Sequence, residues 1–319
     1  MNKTKDKKHT TKQQKKRPSK QKKEKYRLRN WPEYNKSLIK RGNINLWIPS
    51  DITDWWYGTG RTTYSDRAIE AMLMVKAVYR LPLWSVVGFI QSIFEQSGIE
   101  LSVPDYSTLS RRAAKLNVTL NKSTKDITDL ILDSTGTKVY GEGEWKVRKH
   151  GWSYRRTWKK IHLGIDSNGE IRAVVMSHSD THDVVPTKEL LAQEDAQITD
   201  FYGDGAYDSN DIYRELEKRG VSGYHIPPQH NARITRKSHH ERNKNIREIR
   251  QSDRDTWKQE SGYQQRSIVE AIMFRYKTTF GQKLSFRSES SQKSEIMIKC
   301  NILNAFHHLC EVDSYAVVP

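Results

Sequence analysis

Apolar residues are spaced differently in the two parts of this chain, and the spacing predicts different structures. From Ser65, a candidate N-cap, they recur with helical spacing, which predicts three short helices over 65–81, 83–96 and 104–116. After residue 125 they form short runs or alternate with polar residues, which is typical of strands. The strands predicted there cover 129–133, 160–165, 170–177, 198–202, 224–226 and 284–287, and the helices cover 184–194, 209–219, 262–281 and 295–309. Strands that first form a hairpin and then alternate with helices indicate an α/β domain over 125–319.

The last of the three helices predicted in the first part is basic. Three compact helices that end in a basic one fit a helix-turn-helix-like module, whose final helix enters the major groove of DNA. We therefore assign DNA contacts to Arg111, Arg112 and Lys115, within a helical DNA-binding region over 30–124. Compact three-helix units are also common as purely structural packing, so the pattern leaves both interpretations open.

Two segments lack apolar periodicity. Residues 1–29 hold 14 Lys and Arg against Asp6 and Glu24, and we predict a disordered basic tail there. Residues 229–258 are polar and basic, and we predict a loop or insertion. The whole chain has a formal net charge of +17, which favours a polyanionic partner, with nucleic acid as the first candidate. A solvated extension without a partner is the alternative for residues 1–29.

Membrane insertion and export are not expected from the sequence. The longest uncharged apolar stretch, Leu81 to Phe94, has 14 residues, whereas a membrane-spanning helix needs about 20. The basic start is not followed by the apolar segment of a secretory signal. The two cysteines, Cys300 and Cys310, offer neither a disulfide framework nor metal-site spacing, so a cytoplasmic location is predicted.

Two aspartates end predicted strands. Asp133 closes one apolar run, and Asp204 follows another within Phe-Tyr-Gly-Asp-Gly-Ala-Tyr. Carboxylates at the ends of central strands project together at one edge of a sheet, where ligands of α/β proteins usually bind. A lone aspartate after a strand is more often a turn former or a helix N-cap, and we assign Asp166, in an Asn-Gly turn, to that role.

The predicted helix from Gly262 carries a polar face that mixes both signs of charge. At about 100° per residue, four polar side chains fall within about 60° of one another: Tyr263, Arg266, Glu270 and Lys277. An adjacent apolar stripe would dock the helix on the sheet, and it consists of Val269, Met273, Tyr276 and Phe280. A carboxylate in line with Arg, Lys and Tyr suits an acidic ligand flanked by phosphate-binding cations. A salt-bridged, solvated helix face is the alternative.

These motifs resemble those of a known enzyme family. The spacing Tyr263-x2-Arg266-x3-Glu270-x6-Lys277 is similar to the Y-R-E-K signature of DDE transposases of bacterial insertion sequences. Asp204-Gly-Ala-Tyr resembles their D-x-A-Y motif, and Leu132-Asp133-Ser-Thr-Gly is similar to the strand of their first aspartate. Together with Trp158-Lys-Lys-Ile-His, the resemblance covers about residues 65–312, and it is strongest with the insertion-sequence five-like family.

The resemblance implies a ribonuclease-H-like fold, a mixed α/β sheet flanked by helices, with Asp133, Asp204 and Glu270 as a catalytic triad. The triad would bind two Mg²⁺ or Mn²⁺ ions, which agrees with the preference of these cations for carboxylate oxygens. The implied reaction is hydrolysis at the inverted-repeat ends of an element, followed by attack of the freed 3′-OH on target DNA. Tyr263, Arg266 and Lys277 would contact DNA, on which the protein would assemble as a homo-oligomer in the nucleoid of the bacterial cytoplasm.

The sequence leaves two other functions open. One is a catalytically silent DNA-binding protein derived from a transposase, although all three carboxylates are present. The other is a metal-dependent nuclease of the same fold that cuts without joining. Four histidines suggest a zinc site, namely His225, His230, His239 and His240. We do not expect zinc there, because their spacing matches no compact zinc site and their Arg and Lys neighbours repel a cation. Glu142 and Glu144 are candidates for a substitute ligand near Asp133, and His162 is interpreted as a strand histidine.

Overall fold

The computed structural model describes residues 25–60, 63–139, 158–310 and 312–317. Most of the predicted basic tail, residues 1–24, lies outside these ranges. The last residues of that tail differ from the prediction, because Lys25–Leu28 form strand β1, which pairs antiparallel with Ser314–Val317 (β7). The two ends of the described chain are therefore joined by a small sheet.

The first part of the chain contains the three helices that its apolar periodicity predicts after Ser65, and two further helices before Ser65 that this periodicity does not predict. Helices α1 (Trp31–Lys40) and α2 (Ile52–Trp55) frame a short 3-10 turn at Ile44–Leu46. Helix α3 (Asp66–Val78) begins at the predicted N-cap, where Ser65 Oγ accepts the Ala68 N–H at 3.0 Å. Helix α4 (Leu83–Gln96) follows Pro82, and helix α5 (Tyr106–Ala113) is capped by Asp105.

Helices α3 and α4 meet at a bend that contacts the second part of the chain. At the bend, Arg80 has a φ of 53°, the one positive φ of a non-glycine residue in the described ranges. Its guanidinium donates to the carbonyl oxygens of Thr278 and Thr279. No single helix in the described ranges has the length and apolar composition needed to cross a membrane. Helices α3 and α4 meet these two criteria only when they are taken together, and the angle between them is 109°.

A five-stranded sheet forms the centre of the second part. Strands β2 (Asp129–Lys138), β3 (Trp158–Ile165) and β4 (Ile171–His178) are antiparallel neighbours, while β5 (Asp200–Tyr202) and β6 (Gly223–His225) run parallel to β2. The strand order is β4-β3-β2-β5-β6. Helices α6 (Val184–Ala192) and α7 (Asn210–Lys218) connect β4 to β5 and β5 to β6. This sheet with its flanking helices confirms the mixed α/β, ribonuclease-H-like fold that the resemblance implies.

The sheet separates two hydrophobic layers. Leu130 and Leu132 pack with α6 and α7, while Ile131, on the opposite face, packs with helices α10 (Ser267–Phe280) and α11 (Glu289–His308). The second of these layers continues from Val269 of α10 to Ile69 of the helical region. The regions 30–124 and 125–319 therefore share one hydrophobic core.

Two helices occupy much of the segment predicted as a loop, α8 (His240–Gln251) and α9 (Arg254–Glu260). Polar contacts hold them in place. Arg242 donates to both carboxylate oxygens of Asp208 at 2.8 and 3.0 Å, and Asn245 donates to the Tyr224 carbonyl at 2.9 Å. Apolar periodicity does not detect helices of this kind, because few of their side chains are apolar.

Three further boundaries differ from the prediction. Strand β2 continues to Lys138, so Asp133 lies within the strand and not at its end. Residues 284–287 form no strand, and a single bridge joins Lys138 to Lys283 instead. Helix α11 begins at Glu289, six residues earlier than predicted, because Ser288 caps it by accepting the Ser291 N–H.

Candidate active site

Asp133 and Asp204 occupy equivalent positions relative to two paired strands, Asp133 within β2 and Asp204 two residues after the end of β5. Strands β2 and β5 are parallel, with Ile131 paired to Tyr202, and each aspartate follows its paired residue by two positions. The strand-end argument therefore places the two carboxylates near each other, although only Asp204 follows the end of its strand. A parallel pairing of this kind keeps equivalent residues side by side.

Asp204 is held by a short turn. Its Oδ1 accepts the Ala206 N–H at 2.8 Å, which caps the 3-10 turn Gly205–Tyr207. Tyr207 is buried in the core, and a Cβ at Gly203 would lie 3.0 Å from its ring. The N-cap role considered as an alternative is thus present. It fixes the orientation of the Asp204 carboxylate.

The segment predicted as one long helix is a 3-10 turn followed by an α-helix. Tyr263 and Arg266 lie on the turn Tyr263–Arg266, whereas Glu270 and Lys277 lie on α10. The side chain of Glu270 is 58% exposed. The predicted apolar stripe is confirmed, since all of its residues are buried: Val269, Met273, Tyr276 and Phe280.

Arg266 joins two of the three predicted metal ligands. Its Nη2 donates to Asp133 Oδ2 at 2.7 Å, and its Nη1 donates to Glu270 Oε1 at 2.5 Å. The arginine is mostly buried, and its Nε has no hydrogen-bond partner among the described residues. The residue predicted to contact DNA therefore neutralises two carboxylates in this conformation.

Like charges meet at this site. Burial raises the pKa of Asp133, and repulsion from Asp204 and Glu270 raises it further, against the opposing effects of Arg266 and the Ser134 amide. Burial also raises the pKa of Tyr263, which interacts electrostatically with the same three carboxylates. Partly buried carboxylates that repel one another favour a bound cation, and such groups concentrate at functional sites.

The donor set suits a divalent ion, but the carboxylates are not drawn tightly together. Among the described residues, the one group of three whose ligand atoms all lie within 4.8 Å is Glu217, His239 and His240. The oxygens of Asp133, Asp204 and Glu270 are therefore spaced more widely, with Arg266 bridging two of them. Carboxylate oxygens of this kind are the ligands that Mg²⁺ and Mn²⁺ prefer.

The histidine group has a different explanation. His239 Nδ1 accepts the Glu241 N–H at 3.3 Å, which caps α8, and its Nε2 lies 3.3 Å from a Glu217 oxygen. Because Nδ1 accepts a hydrogen bond, the proton of the neutral ring resides on Nε2, which forms no hydrogen bond with a described residue. The ring cannot offer Nε2 to a metal without losing the cap. His225 contacts Asp200 at 2.9 Å instead.

The three basic residues assigned to DNA have different surroundings, with Arg111 and Arg112 on α5 and Lys115 just after its end. Arg112 donates to the Tyr64 carbonyl at 2.9 Å and to Asp66 at 2.5 Å, so it ties α5 to the start of α3. Arg111 and Lys115 are exposed. The geometry therefore favours a structural role for Arg112 and leaves Arg111 and Lys115 on the surface.

The remaining candidates from the sequence lie outside the described residues or in the core. Glu142 and Glu144 lie outside the described residues. His162 is fully buried in β3, with Nε2 2.7 Å from the Ser177 hydroxyl. Phe274, which the sequence analysis did not single out, is 70% exposed one helical turn after Glu270. The sequence alone predicts a buried position for an apolar residue such as Phe274, so its exposure beside the site could not be predicted from the local pattern.

Comparison with known families agrees with this geometry. Two family models match the chain, both described as a transposase DDE domain, one over residues 39–142 and the other over 124–305. The second match includes Asp133, Asp204 and Glu270 and covers more than half of the chain. Membership of such a family implies DNA as the partner and a dependence on divalent metal ions. The chain therefore belongs to the DDE transposases of insertion-sequence type.

Proposed function

We propose that this transposase hydrolyses phosphodiester bonds at the inverted-repeat ends of its element and joins the freed 3′-OH to target DNA. Asp133, Asp204 and Glu270 are the proposed metal ligands. One observation carries the proposal: parallel pairing aligns Asp133 with Asp204, and Arg266, which follows Asp133 by 133 residues in the sequence, links Asp133 to Glu270.

The two aspartates would form the rigid part of the metal site, because backbone N–H groups hold both carboxylates in place. Asp133 lies within β2, and its Oδ1 accepts the Ser134 N–H at 2.7 Å, while Asp204 is held by Ala206. Glu270 is suited to an adjustable part, because its exposed side chain can rotate away from Arg266 towards the aspartates. When bound, two divalent ions would activate the attacking oxygen and stabilise the leaving oxygen at phosphorus.

The neighbouring cations are suited to hold the DNA backbone. Once Glu270 turns away, the Arg266 guanidinium can form paired hydrogen bonds with a phosphate, for which its planar fork is well matched. Lys277 lies two helical turns from Glu270 on α10, roughly 10 Å along the axis, and would contact phosphates beside the cut. Tyr263 interacts electrostatically with all three carboxylates and would line the same path.

Cleavage of labelled inverted-repeat ends tests the ligand assignment. We expect Asp133→Asn, Asp204→Asn and Glu270→Gln to lose Mg²⁺-dependent cleavage while they still bind end DNA. Glu189→Gln, which neutralises an exposed carboxylate on α6, is the matched control and should cleave normally. Full cleavage by any of the three variants would remove that residue from the site.

Adding a target plasmid to the same reaction separates the proposed function from its alternatives. A transposase yields cut ends and joined products. A nuclease of the same fold yields cut ends without joined products, and a silent DNA-binding protein yields neither. A chelator should abolish both products of the wild-type protein.

A further inference from the structure

A groove lined by cationic side chains lies outside the candidate active site, and none of the three carboxylates lines it. This groove, of about 950 Å³, opens between the α3–α4 bend, helix α5 and the segment that joins α10 to α11. Its lining includes five cationic side chains and one carboxylate: Lys76, Arg80, Lys283, Arg287, Lys299 and Glu295. We call this surface the basic groove. Its excess of positive charge suits an anionic partner.

The floor of the basic groove retains positive charge after its internal contacts are formed. Glu295 pairs with Lys299 at 2.8 Å and accepts the backbone N–H groups of Ser285 and Phe286. The second ammonium group, of Lys76, donates to the Ser285 hydroxyl at 2.5 Å and lies 5.1 Å from the centre of the Phe286 ring, and burial lowers the pKa of Lys76. One carboxylate thus serves two cations, and a phosphate in the groove would supply the missing negative charge.

An aromatic pair lines the same groove. Trp84, in the first turn of α4, stacks on Tyr106 of α5 with ring centroids 3.5 Å apart and an interplanar angle of 27°. The indole is 66% exposed, although tryptophan is highly buried on average. Exposed aromatic rings beside cations are the arrangement by which proteins bind unpaired nucleotides, because bases stack on the rings and phosphates pair with the cations.

We propose that the basic groove binds single-stranded DNA, with a base stacked on Trp84 and phosphates near Lys283 and Arg287. A strand is favoured over an intact duplex because duplex bases already stack on their neighbours and cannot cover the indole. The guanidinium of Arg80 donates to the end of α10. Lys283 and Arg287 line the groove with exposed cationic side chains, which would contact the phosphates.

The position of the groove relates it to the proposed cleavage site, and to that extent the inference rests on the proposed function. Glu270 lies near the start of α10, and Phe280, which lines the groove, ends the same helix. Ten residues of helix span roughly 15 Å. A strand opened at the element end would therefore reach the groove within a few nucleotides of the cut.

Binding of fluorescein-labelled oligo-dT of about 20 nucleotides by the full-length protein tests the role of Trp84. We expect Trp84→Ala to weaken this binding at least about fivefold, which is the lower range of base–aromatic stacking, whereas Trp84→Phe should largely retain it. A blunt duplex of the same length should bind the three proteins equally. Trp31→Ala is the control, because Trp31 is 55% exposed and its neighbour Asn30 contacts Cys310, beyond the far end of α11.

A charge reversal tests the phosphate contacts. The double variant Lys283→Glu, Arg287→Glu should lower the log–log salt dependence of oligo-dT binding by about 0.7 for each phosphate that the protein no longer neutralises. Lys188→Glu is the control, since this exposed lysine lies on α6, across the sheet from α10. The proposal is overturned if Trp84→Ala binds oligo-dT like the wild type, if duplex binding falls equally, or if the Lys188 variant has the same effect. Stronger Trp84-dependent binding of oligo-rU than of oligo-dT would also overturn it, in favour of RNA.

The two proposals fail separately. If the wild-type protein cleaves and joins element ends while Trp84→Ala binds oligo-dT normally, only the groove proposal is wrong. If Trp84 governs oligo-dT binding but no cleavage occurs with Mg²⁺ or Mn²⁺, the groove proposal stands and the proposed activity is wrong.

Discussion

Arg266 and Asp133 are paired across 2.7 Å between Nη2 and Oδ2, and the same guanidinium also contacts Glu270. The Arg266 guanidinium thus lies between two carboxylates that are proposed to bind a divalent metal ion. Because both cations need the same oxygens, the arginine and the proposed metal would compete for Asp133 and Glu270. The competition would give the site two arrangements, one with Arg266 paired internally and one with Arg266 turned towards DNA.

Removing this competitor should strengthen metal binding in the absence of DNA. We expect Arg266→Gln to bind Mn²⁺ about tenfold more tightly than the wild type, since hydrogen bonds to charged groups are worth about 1.5–3 kcal/mol. Calorimetric titration measures the affinity, and Arg214→Gln, an exposed arginine on α7, serves as the control. Cleavage by Arg266→Gln should nevertheless fall, because the guanidinium is then missing from the phosphate. Weaker Mn²⁺ binding by this variant would contradict the competition.

Adjacent arginines on α5 should behave differently. Arg112→Ala removes the hydrogen bonds to Tyr64 and Asp66 and should lower the free energy of unfolding by about 1–2 kcal/mol. Arg111→Ala should change stability by less than about 0.5 kcal/mol but reduce the salt dependence of duplex binding by about 0.9. Thermal unfolding and salt titrations measure the two effects. If Arg112→Ala left stability unchanged, its structural assignment would be wrong.

A buried ion network beside β4 should be essential for stability. Arg172 donates to Glu194 at 2.8 and 3.2 Å and to Glu170 at 3.2 Å, and all three side chains are almost fully buried. Arg172→Met would leave the buried Glu194 carboxylate without its paired hydrogen bonds and would remove one contact of the buried Glu170, so we expect a loss of about 3–5 kcal/mol in urea unfolding at neutral pH. Lys218→Met, on the surface of α7, should stay within about 0.5 kcal/mol of the wild type. Equal stabilities for the two variants would contradict this prediction.

His162 should make the protein sensitive to acid. Burial lowers the pKa of His162 to about 4, from an ordinary value of 6.5. Between these two values the unfolded chain binds a proton that the folded chain does not, so stability falls as the pH decreases from 6.5 to about 4. The loss is limited to about 1.4 kcal/mol per pH unit in this window. Unfolding curves of wild type and His162→Gln across the window test the effect, and we expect a flatter pH dependence for the variant. Parallel curves would assign the acid sensitivity to other groups.

The parts of the fold that local spacing determines were predictable. The apolar stripe of α10 was identified because Val269, Met273 and Tyr276 repeat with helical period within a few residues. Helix α8 was missed because its main anchor is the contact of Arg242 with Asp208, which lies 34 residues earlier in the chain. Periodicity within a short window contains no information about such a pair.

The same distinction applies to the candidate site. The carboxylates were identified from strand position and motif spacing, and the parallel pairing of β2 with β5 accounts for the proximity of Asp133 and Asp204. The pairing of Arg266 with Asp133 was not predicted, since it depends on how α10 docks on the sheet. Likewise, the stacking of Trp84 on Tyr106 arises only when α4 and α5 are packed together.

The hydrophobic layer that runs from Ile69 to Val269 also constrains how such an enzyme can diversify. A helical region with its own core could be exchanged between relatives as a module. Here an exchange would cut through closely packed side chains on both sides of the junction and would expose them in the hybrid. New recognition specificities are therefore expected to arise by point substitutions on exposed surfaces, such as that of α5, for which DNA contact is predicted, and not by recombination of whole domains.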